Sequence, residues 1–297
     1  MPEIGYFTRS ASSHTRRPLS PGSPAVRSAN TAKTLTATAI SRLVSCEPNG
    51  MGEYVRGART IRVAKNKDVV IAGNPYECFY ANHDGWLLRY KILHKGGRQI
   101  VDFVLPGDIF ALQACLFKSS LYSIATVTPA LLSVIMFDKI DEVFEGNPKL
   151  SKLIFWSAAC EAARLAEHLT DAARRSAYER VSHLLLELFV RLKAAGLTDG
   201  MSFHMPLTQE LIGDALGLTT IHVNRTLRLL RENHLIEING KRVTILDFEA
   251  LSLLSDFSRP HIWATALVPC ASPAVSVEPP TATEARGCDD TAASVMR

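Results

Sequence analysis

Leu207-Thr208-Gln209-Glu210-Leu211-Ile212-Gly213-Asp214-Ala215-Leu216-Gly217-Leu218-Thr219-Thr220-Ile221-His222-Val223-Asn224-Arg225-Thr226-Leu227-Arg228-Leu229-Leu230 is the stretch on which the fold of this chain turns. Thr208 is a helix-capping residue ahead of an apolar-periodic run, so Gln209–Leu216 reads as a helix. Gly217-Leu218-Thr219 reads as a tight turn, with glycine where the backbone must bend sharply. A second helix is predicted from Thr220 to about Asn233. Residues 235–238 and 242–246 flank Asn239-Gly240, and Asn-Gly between alternating apolar runs is a strong hairpin signal. Helix, turn, helix and hairpin in that order make a winged helix-turn-helix.

Val223, Thr226 or Leu227, and Leu230 recur at helical spacing and are expected to face a core. Thr220, Ile221, Asn224, Arg225, Arg228 and Arg231 are left facing outward. A helix of this kind reads base edges with its N-terminal half. Arg225 is placed for a bidentate contact to guanine, worth about 1–3 kcal/mol of discrimination. Asn224 suits adenine or the backbone. Thr208, Gln209, Thr219 and His222 are candidates for phosphate contacts, and Lys241 and Arg242 at the hairpin tip for flanking phosphates. Charge says little by itself, since 10 Lys and Arg stand against 9 Asp and Glu between Asp171 and Asp247. The order of elements carries the expectation that double-stranded DNA is the partner.

Upstream of this segment the periodicity changes twice. From residue 139 to about 195 it is helical. Asn147-Pro148 marks a helix start, with proline tolerated in the first turn. One helix is predicted over 149–169 and another over 172–195, with Gly196 at its C-terminal cap. The first carries apolar residues on more than one stripe, so it touches more than one surface. The apolar side of the second comprises Val181, Leu184, Leu185, Leu188, Val190 and Leu192. Between residues 60 and 137 short apolar or β-branched runs alternate with turn signals, at 60–63, 69–72, 78–81, 86–93, 99–105, 124–128 and 131–137. Short strands so spaced form a compact β-roll or barrel.

The expected organisation is α+β. It comprises a disordered tail (1–36), a β-roll (37–145), a long helix (146–170), a winged helix-turn-helix domain (171–258) and a second disordered tail (259–297). A short helical segment or two is expected within 38–54. The tails are rich in Ser, Thr, Pro and Ala and bury too little apolar surface to offset their conformational entropy. Arg9, Arg16, Arg17 and Arg27 lie in the first tail with no apolar run, so a secretory signal is not expected. No run of about 18 apolar residues is present, so no membrane span is expected. With 47% hydrophobic and 21% charged residues, 297 residues suffice for a sizeable core.

The six cysteines, Cys46, Cys78, Cys115, Cys160, Cys270 and Cys288, show no CxxC pair. This spacing argues against a disulfide framework, a zinc ribbon or an iron–sulfur cluster and fits a reducing cytoplasm. Cys78 and Cys115 fall in the β-roll and read as buried structural cysteines, with a redox-sensing thiol as the other reading. His168, His183 and His204 have no paired ligand spacing and read as ordinary helix or loop residues, so no metal is expected. No Ser-His-Asp, Cys-His or paired-carboxylate arrangement supports an enzyme.

The helix-turn-helix segment resembles that of Crp-Fnr transcription regulators, in the branch common in alphaproteobacteria. So do Gly85-Trp86-Leu87-Leu88-Arg89-Tyr90-Lys91, Arg98-Gln99-Ile100-Val101, Leu105-Pro106-Gly107-Asp108-Ile109 and Ala177-Tyr178-Glu179-Arg180. The resemblance covers about residues 55–255. It implies a cyclic-nucleotide-binding-like β-roll and a homodimer formed along the helix around residues 149–169. It also implies promoter recognition as an inverted repeat and contact with RNA polymerase. By the same resemblance Arg225 is the base-reading arginine. The position before His222 is often Glu in the family; here it is Ile221, which cannot accept a hydrogen bond from cytosine but suits a thymine methyl.

Two departures bear on the effector. Members that bind cyclic AMP carry a Gly-Glu pair soon after the Pro-Gly-Asp turn, and later an Arg-Ser pair. The corresponding stretches here are Ala111-Leu112-Gln113 and Tyr122-Ser123-Ile124, without the carboxylate or the guanidinium. A buried phosphate without a cation is poorly compensated, so cyclic AMP is not expected and the effector is left open. The N-terminal cysteine cluster of oxygen-sensing members is also missing. The competing reading is a ligand- or redox-sensing module that acts on protein partners rather than DNA.

Overall fold

The computed structural model describes residues 59–117, 119–137, 140–146 and 148–257. The expectations for 1–36, 38–54 and 259–297 lie outside the described residues. The β-roll comprises β1 (Arg59–Val63), β2 (Asp68–Val70), β3 (Cys78–Asp84), β4 (Leu87–Ile92), β5 (Arg98–Val104), β6 (Ile109–Phe110), the short helix α1 (Leu112–Leu116), β7 (Ser123–Thr126) and β8 (Ala130–Met136). Helices α2 (Ile140–Gly146), α3 (Pro148–Arg174) and α4 (Ala177–Ala194) follow. The C-terminal part holds β9 (Thr198–Asp199), β10 (Ser202–His204), α5 (Gln209–Leu216), α6 (Thr220–Glu232), β11 (Ile236–Asn239), β12 (Arg242–Ile245) and α7 (Phe248–Leu254). The seven strands expected between residues 60 and 137 are all present, with ends displaced by a few residues. The strand β6, the helix α1, the β9–β10 pair and α7 are additions.

Two antiparallel four-stranded sheets, ordered β1-β8-β3-β6 and β2-β7-β4-β5, form the roll. Between them Val70, Leu87, Val104 and Ile124 of one sheet meet Tyr80, Phe110, Ala130 and Leu132 of the other. The second sheet is also buried on its outer side. Alternation sends Leu88 and Phe103 outward, where they join a continuous core with Val181, Leu184, Leu188 and the helix-turn-helix. This explains the consecutive apolar residues Leu87 and Leu88, because a strand covered on both faces does not alternate. Gly85 starts the turn into β4 at φ 91°, and a Cβ there would lie 2.3 Å from the Pro129 carbonyl oxygen.

The break between the two long helices differs from the expected one. α3 runs on to Arg174, and α4 starts at Ala177 behind a capping box. Glu179 N donates to Ser176 Oγ (3.4 Å) and Ser176 N donates to the Glu179 carboxylate (2.5 Å). Arg180 spans the joint: it donates to the carbonyls of Ala172 and Arg175 at the end of α3 and to that of Leu216 at the end of α5. A cation satisfying the last carbonyls of two helices also suits their dipoles. α4 is buried on every side from Val181 to Phe189, not along one stripe, since Leu186 and Phe189 are as covered as Leu185. The wing hairpin is shifted by one residue. Asn239 pairs with Arg242, which leaves Gly240 (φ 60°) and Lys241 in the turn.

Candidate nucleic-acid interface

The interface is built on two capped helices held at a tight turn. Thr208 Oγ1 accepts from Leu211 N at 3.2 Å, and Thr219 Oγ1 accepts from His222 N at 3.3 Å. These caps fix the starts of α5 and α6. Gly217 ends α5 in the left-handed region (φ 66°), and Leu218 N closes back onto the Gly213 carbonyl at 3.0 Å. The turn folds down onto Gly213, where a Cβ would sit 2.5 Å from the Leu218 carbonyl oxygen. Close approach of the turn to α5 therefore needs glycine at 213, while Gly217 supplies the left-handed backbone; sequence periodicity singles out only Gly217.

Val223, Thr226, Leu227 and Leu230 are buried and anchor α6 from below. Thr220, Ile221, His222, Asn224, Arg225, Arg228 and Arg231 are exposed, as are Thr208, Thr219 and Lys241; Gln209 is half-buried. Ile221 is 79% exposed and offers an apolar side chain on the outer surface of α6. Asn224 Nδ2 donates to Gln209 Oε1 at 3.2 Å, tying the two helices across their outer surface. Arg228 is turned along its helix to Glu232 (2.7 Å), and Arg242 pairs with Asp199. Both cations must leave an exposed carboxylate to meet an outside acceptor, a small cost for surface pairs. Among the described residues no acceptor engages the Arg225 guanidinium. Residues 220–225 thus present a guanidinium, an amide, an imidazole and an apolar side chain at the start of one rigid helix.

A second cluster lies between β5, α3 and α4. Asp102, His168 and Glu187 bring potential metal-ligand atoms within 4.8 Å of one another. Nothing in the spacing of these residues along the sequence announces the cluster. Its lone pairs are already committed. Asp102 accepts from Arg164 (3.1 Å) and Arg191 (3.4 Å), and Glu187 accepts from Arg191 (2.8 Å). His168 Nδ1 lies 3.0 Å from the Val101 carbonyl oxygen and Nε2 lies 2.8 Å from Glu187 Oε2. Both neighbours are acceptors, so both ring nitrogens donate and the imidazole is charged. Burial alone would lower its pKa, but Glu187 and Asp102 overcome that and raise it to about 9. Burial likewise disfavours the ionised Glu187, yet His168 and Arg191 bring it down to about 2. The cluster is a buried charge network joining the β-roll to both long helices, with Arg191 pairing with both Asp102 and Glu187.

Cys78 is half-buried, with its thiol donating to the Tyr80 hydroxyl, and Cys160 is buried. Burial pushes both thiols up, away from the reactive thiolate. The expectation for the Cys115 side chain lies outside what the structure describes.

A β-roll joined by a long helix to a winged helix-turn-helix with an exposed second helix defines a DNA-binding regulator. Two family models match: a cyclic nucleotide-binding domain over residues 60–147 and a Crp-like helix-turn-helix domain over residues 179–254. The anaerobic regulatory protein of Pasteurella multocida is 28% identical over 67% of this chain and 73% of its own length. The transcriptional activator protein Anr of Pseudomonas aeruginosa is 26% identical over 70% of this chain and 84% of its own. The structure of FixK2 from Bradyrhizobium japonicum superposes with a TM-score of 0.60 at 24% identity, covering 66% of this chain and 96% of that one. The chain is a DNA-binding transcription regulator with the two domains of Crp-Fnr regulators in their order.

The match to a cyclic nucleotide-binding domain raises the question of a bound nucleotide. Gln113 faces Glu161 of α3, and Tyr122 lies under the Arg89 guanidinium, 5.9 Å from ring centre to Cζ. Arg89 itself is closed onto Glu161. The residues present do not fit a cyclic phosphate, because the buried cation at this place already holds an anion.

Proposed function

We propose that the chain binds an inverted-repeat operator as a homodimer and regulates transcription from it. The N-terminal half of α6 enters the major groove, where Arg225 reads guanine O6 and N7 and Ile221 packs on a thymine methyl. Asn224 reads adenine or supports the backbone contact. Thr208, Gln209, Thr219, His222 and Lys241 meet phosphates, with Thr220 and Arg228 at the margins of the groove. The observation that carries this reading is the exposed Arg225 guanidinium, without an acceptor among the described residues, on a helix fixed by four buried side chains.

The outer face of α3 supports the homodimer. Phe155, Ala158, Ala159, Ala162, Ala166 and Leu169 are all exposed and recur at three- and four-residue intervals, an apolar seam of coiled-coil type. Phe155 is 75% and Leu169 70% exposed, which a second copy of the same helix would cover. The protein acts by binding, not catalysis. It works in the cytoplasm with RNA polymerase as its partner and without cyclic AMP as effector. Among the described residues no helix is long and apolar enough to cross a membrane. A sensing module acting only on protein partners is disfavoured, because it would have no use for the exposed base-reading face.

Selection of duplexes from a randomised pool by the purified chain tests the reading. A two-fold symmetric motif with guanine at the Arg225 position is expected. Equal, weak retention of every duplex would overturn it.

A further inference from the structure

Three donors on the β-roll converge on one carboxylate. Arg89, on β4, forms a bidentate pair with Glu161 of α3, one arm being Nη2 to Oε2 at 2.9 Å. Gln113 Nε2 donates to Glu161 Oε1 at 2.8 Å. The Arg89 and Glu161 side chains are 5% and 10% exposed. Tyr122 closes one side beneath Arg89, with Lys91 Nζ 4.7 Å from its ring centre. A buried guanidinium, an amide donor, an aromatic wall and a nearby ammonium make a pocket for a small anion. The chain fills it with a side chain of its own long helix.

We propose that Glu161 is a tethered anion: it seats in the cation-lined pocket of the β-roll and takes the place of a diffusible anionic effector in holding α3. Position along the helix supports this. Glu161, Arg164 and His168 fall at i, i+3 and i+7, on one face, and each grips the same sheet: Glu161 on β4, Arg164 on Asp102 of β5, and His168 on the Val101 carbonyl of β5. The opposite face carries the exposed apolar seam. The carboxylate therefore fixes which face of α3 is offered outward, the task a bound effector would otherwise perform. A nucleotide phosphate could reach Arg89 only by displacing Glu161, a competitor that never dissociates from the protein.

The test uses the full chain and small carboxylates as probes. Glu161→Ala is expected to lower the melting temperature by about 10 °C, as removal of one member of a buried pair does. Millimolar acetate or propionate should recover most of that loss, and acetamide or propionamide none. Glu161→Gln, which keeps the shape, should fall nearly as far and gain nothing from acetate, and it serves if the alanine variant does not fold. Cyclic AMP and cyclic GMP should leave the wild-type melting temperature unchanged, and the wild type should select the same duplex with and without them. A rise in wild-type melting temperature with either nucleotide would overturn the proposal. So would a Glu161→Gln variant as stable as the wild type, or a folded Glu161→Ala variant that carboxylates do not rescue. If the wild type selected no duplex at all, the operator reading would fail while the melting measurements still decided this one.

Discussion

Arg98 Nε donates to Asp214 Oδ2 at 2.7 Å, binding a strand of the β-roll to the first helix of the helix-turn-helix. Gln99 Nε2 adds a bond to the Ala215 carbonyl at 3.2 Å, beside the turn that orients α6. Both residues of the ion pair are about one-quarter to one-third exposed, so screening limits the energy. Arg98→Ala should cost about 0.5–1 kcal/mol in urea unfolding, and Asp214→Ala should add little on top of it. Full additivity of the two would show that they do not interact.

Gly213 and Gly217 should respond differently to alanine. A Cβ at Gly213 meets the Leu218 carbonyl oxygen, which is backbone and cannot swing aside. A Cβ at Gly217 meets nothing within 4 Å and adds only the strain of φ 66°. Gly213→Ala should cost about 2–4 kcal/mol and weaken DNA binding by displacing α6, whereas Gly217→Ala should cost about 1 kcal/mol. Chemical denaturation of the two variants measures both values. The reverse order would contradict the packing described.

Arg225→Ala and Lys241→Ala separate reading from attraction. The first should relax sequence preference at one base pair of each half-site, a loss of about 1–3 kcal/mol, with the fold intact by circular dichroism. The second should weaken binding equally for all duplexes and reduce the slope of log affinity against log salt by about one. Gel shifts over a range of salt concentrations distinguish them.

The charge on His168 makes stability fall on the alkaline side. The folded imidazole holds its proton up to about pH 9 against an ordinary value of 6.5. Its contribution is therefore complete below pH 6.5 and fades as pH rises through 9. Glu187 acts in the opposite sense: its contribution is present above the ordinary carboxylate value and is lost as pH falls towards 2. Wild-type stability should drop by about 2 kcal/mol between neutral pH and pH 9.5, and His168→Gln should flatten that drop. A variant that keeps the full alkaline slope would show that another group titrates there.

The seam on α3 should fail when charged. Phe155→Glu with Leu169→Glu is expected to give monomers at micromolar concentration in sedimentation velocity, without loss of helix by circular dichroism. Binding to a full palindrome should fall far more than binding to a half-site. An unchanged sedimentation coefficient would place the dimer contact elsewhere.

Local signals made most of the fold legible. Strands of the roll were readable because β-branched runs and glycine turns mark them residue by residue, and the helix-turn-helix because Thr208, Gly217 and Asn239-Gly240 punctuate it. The joint at Arg175-Ser176 was harder, since apolar periodicity runs through it; the Ser176 and Glu179 pair three residues apart was the available sign. The β9–β10 pair is too short for any period to show. Outward residues of α6 followed from helical spacing alone. The charge network could not be read, because Asp102, His168 and Glu187 come from three elements and meet only after folding. Glu161 gave no sign for the same reason, being one acidic residue in a helix until β4 places Arg89 against it.

From Val181 to Phe189, α4 has no side turned to solvent. A shaft packed all round can neither spin nor slide by itself, since any such motion would open voids in its surroundings. Movement of its first turn, gripped by Arg180, must therefore carry the reading helix along as one piece. A shift of the sheet would therefore reach Arg225 as a change of position, with the shape of the DNA-contacting surface preserved.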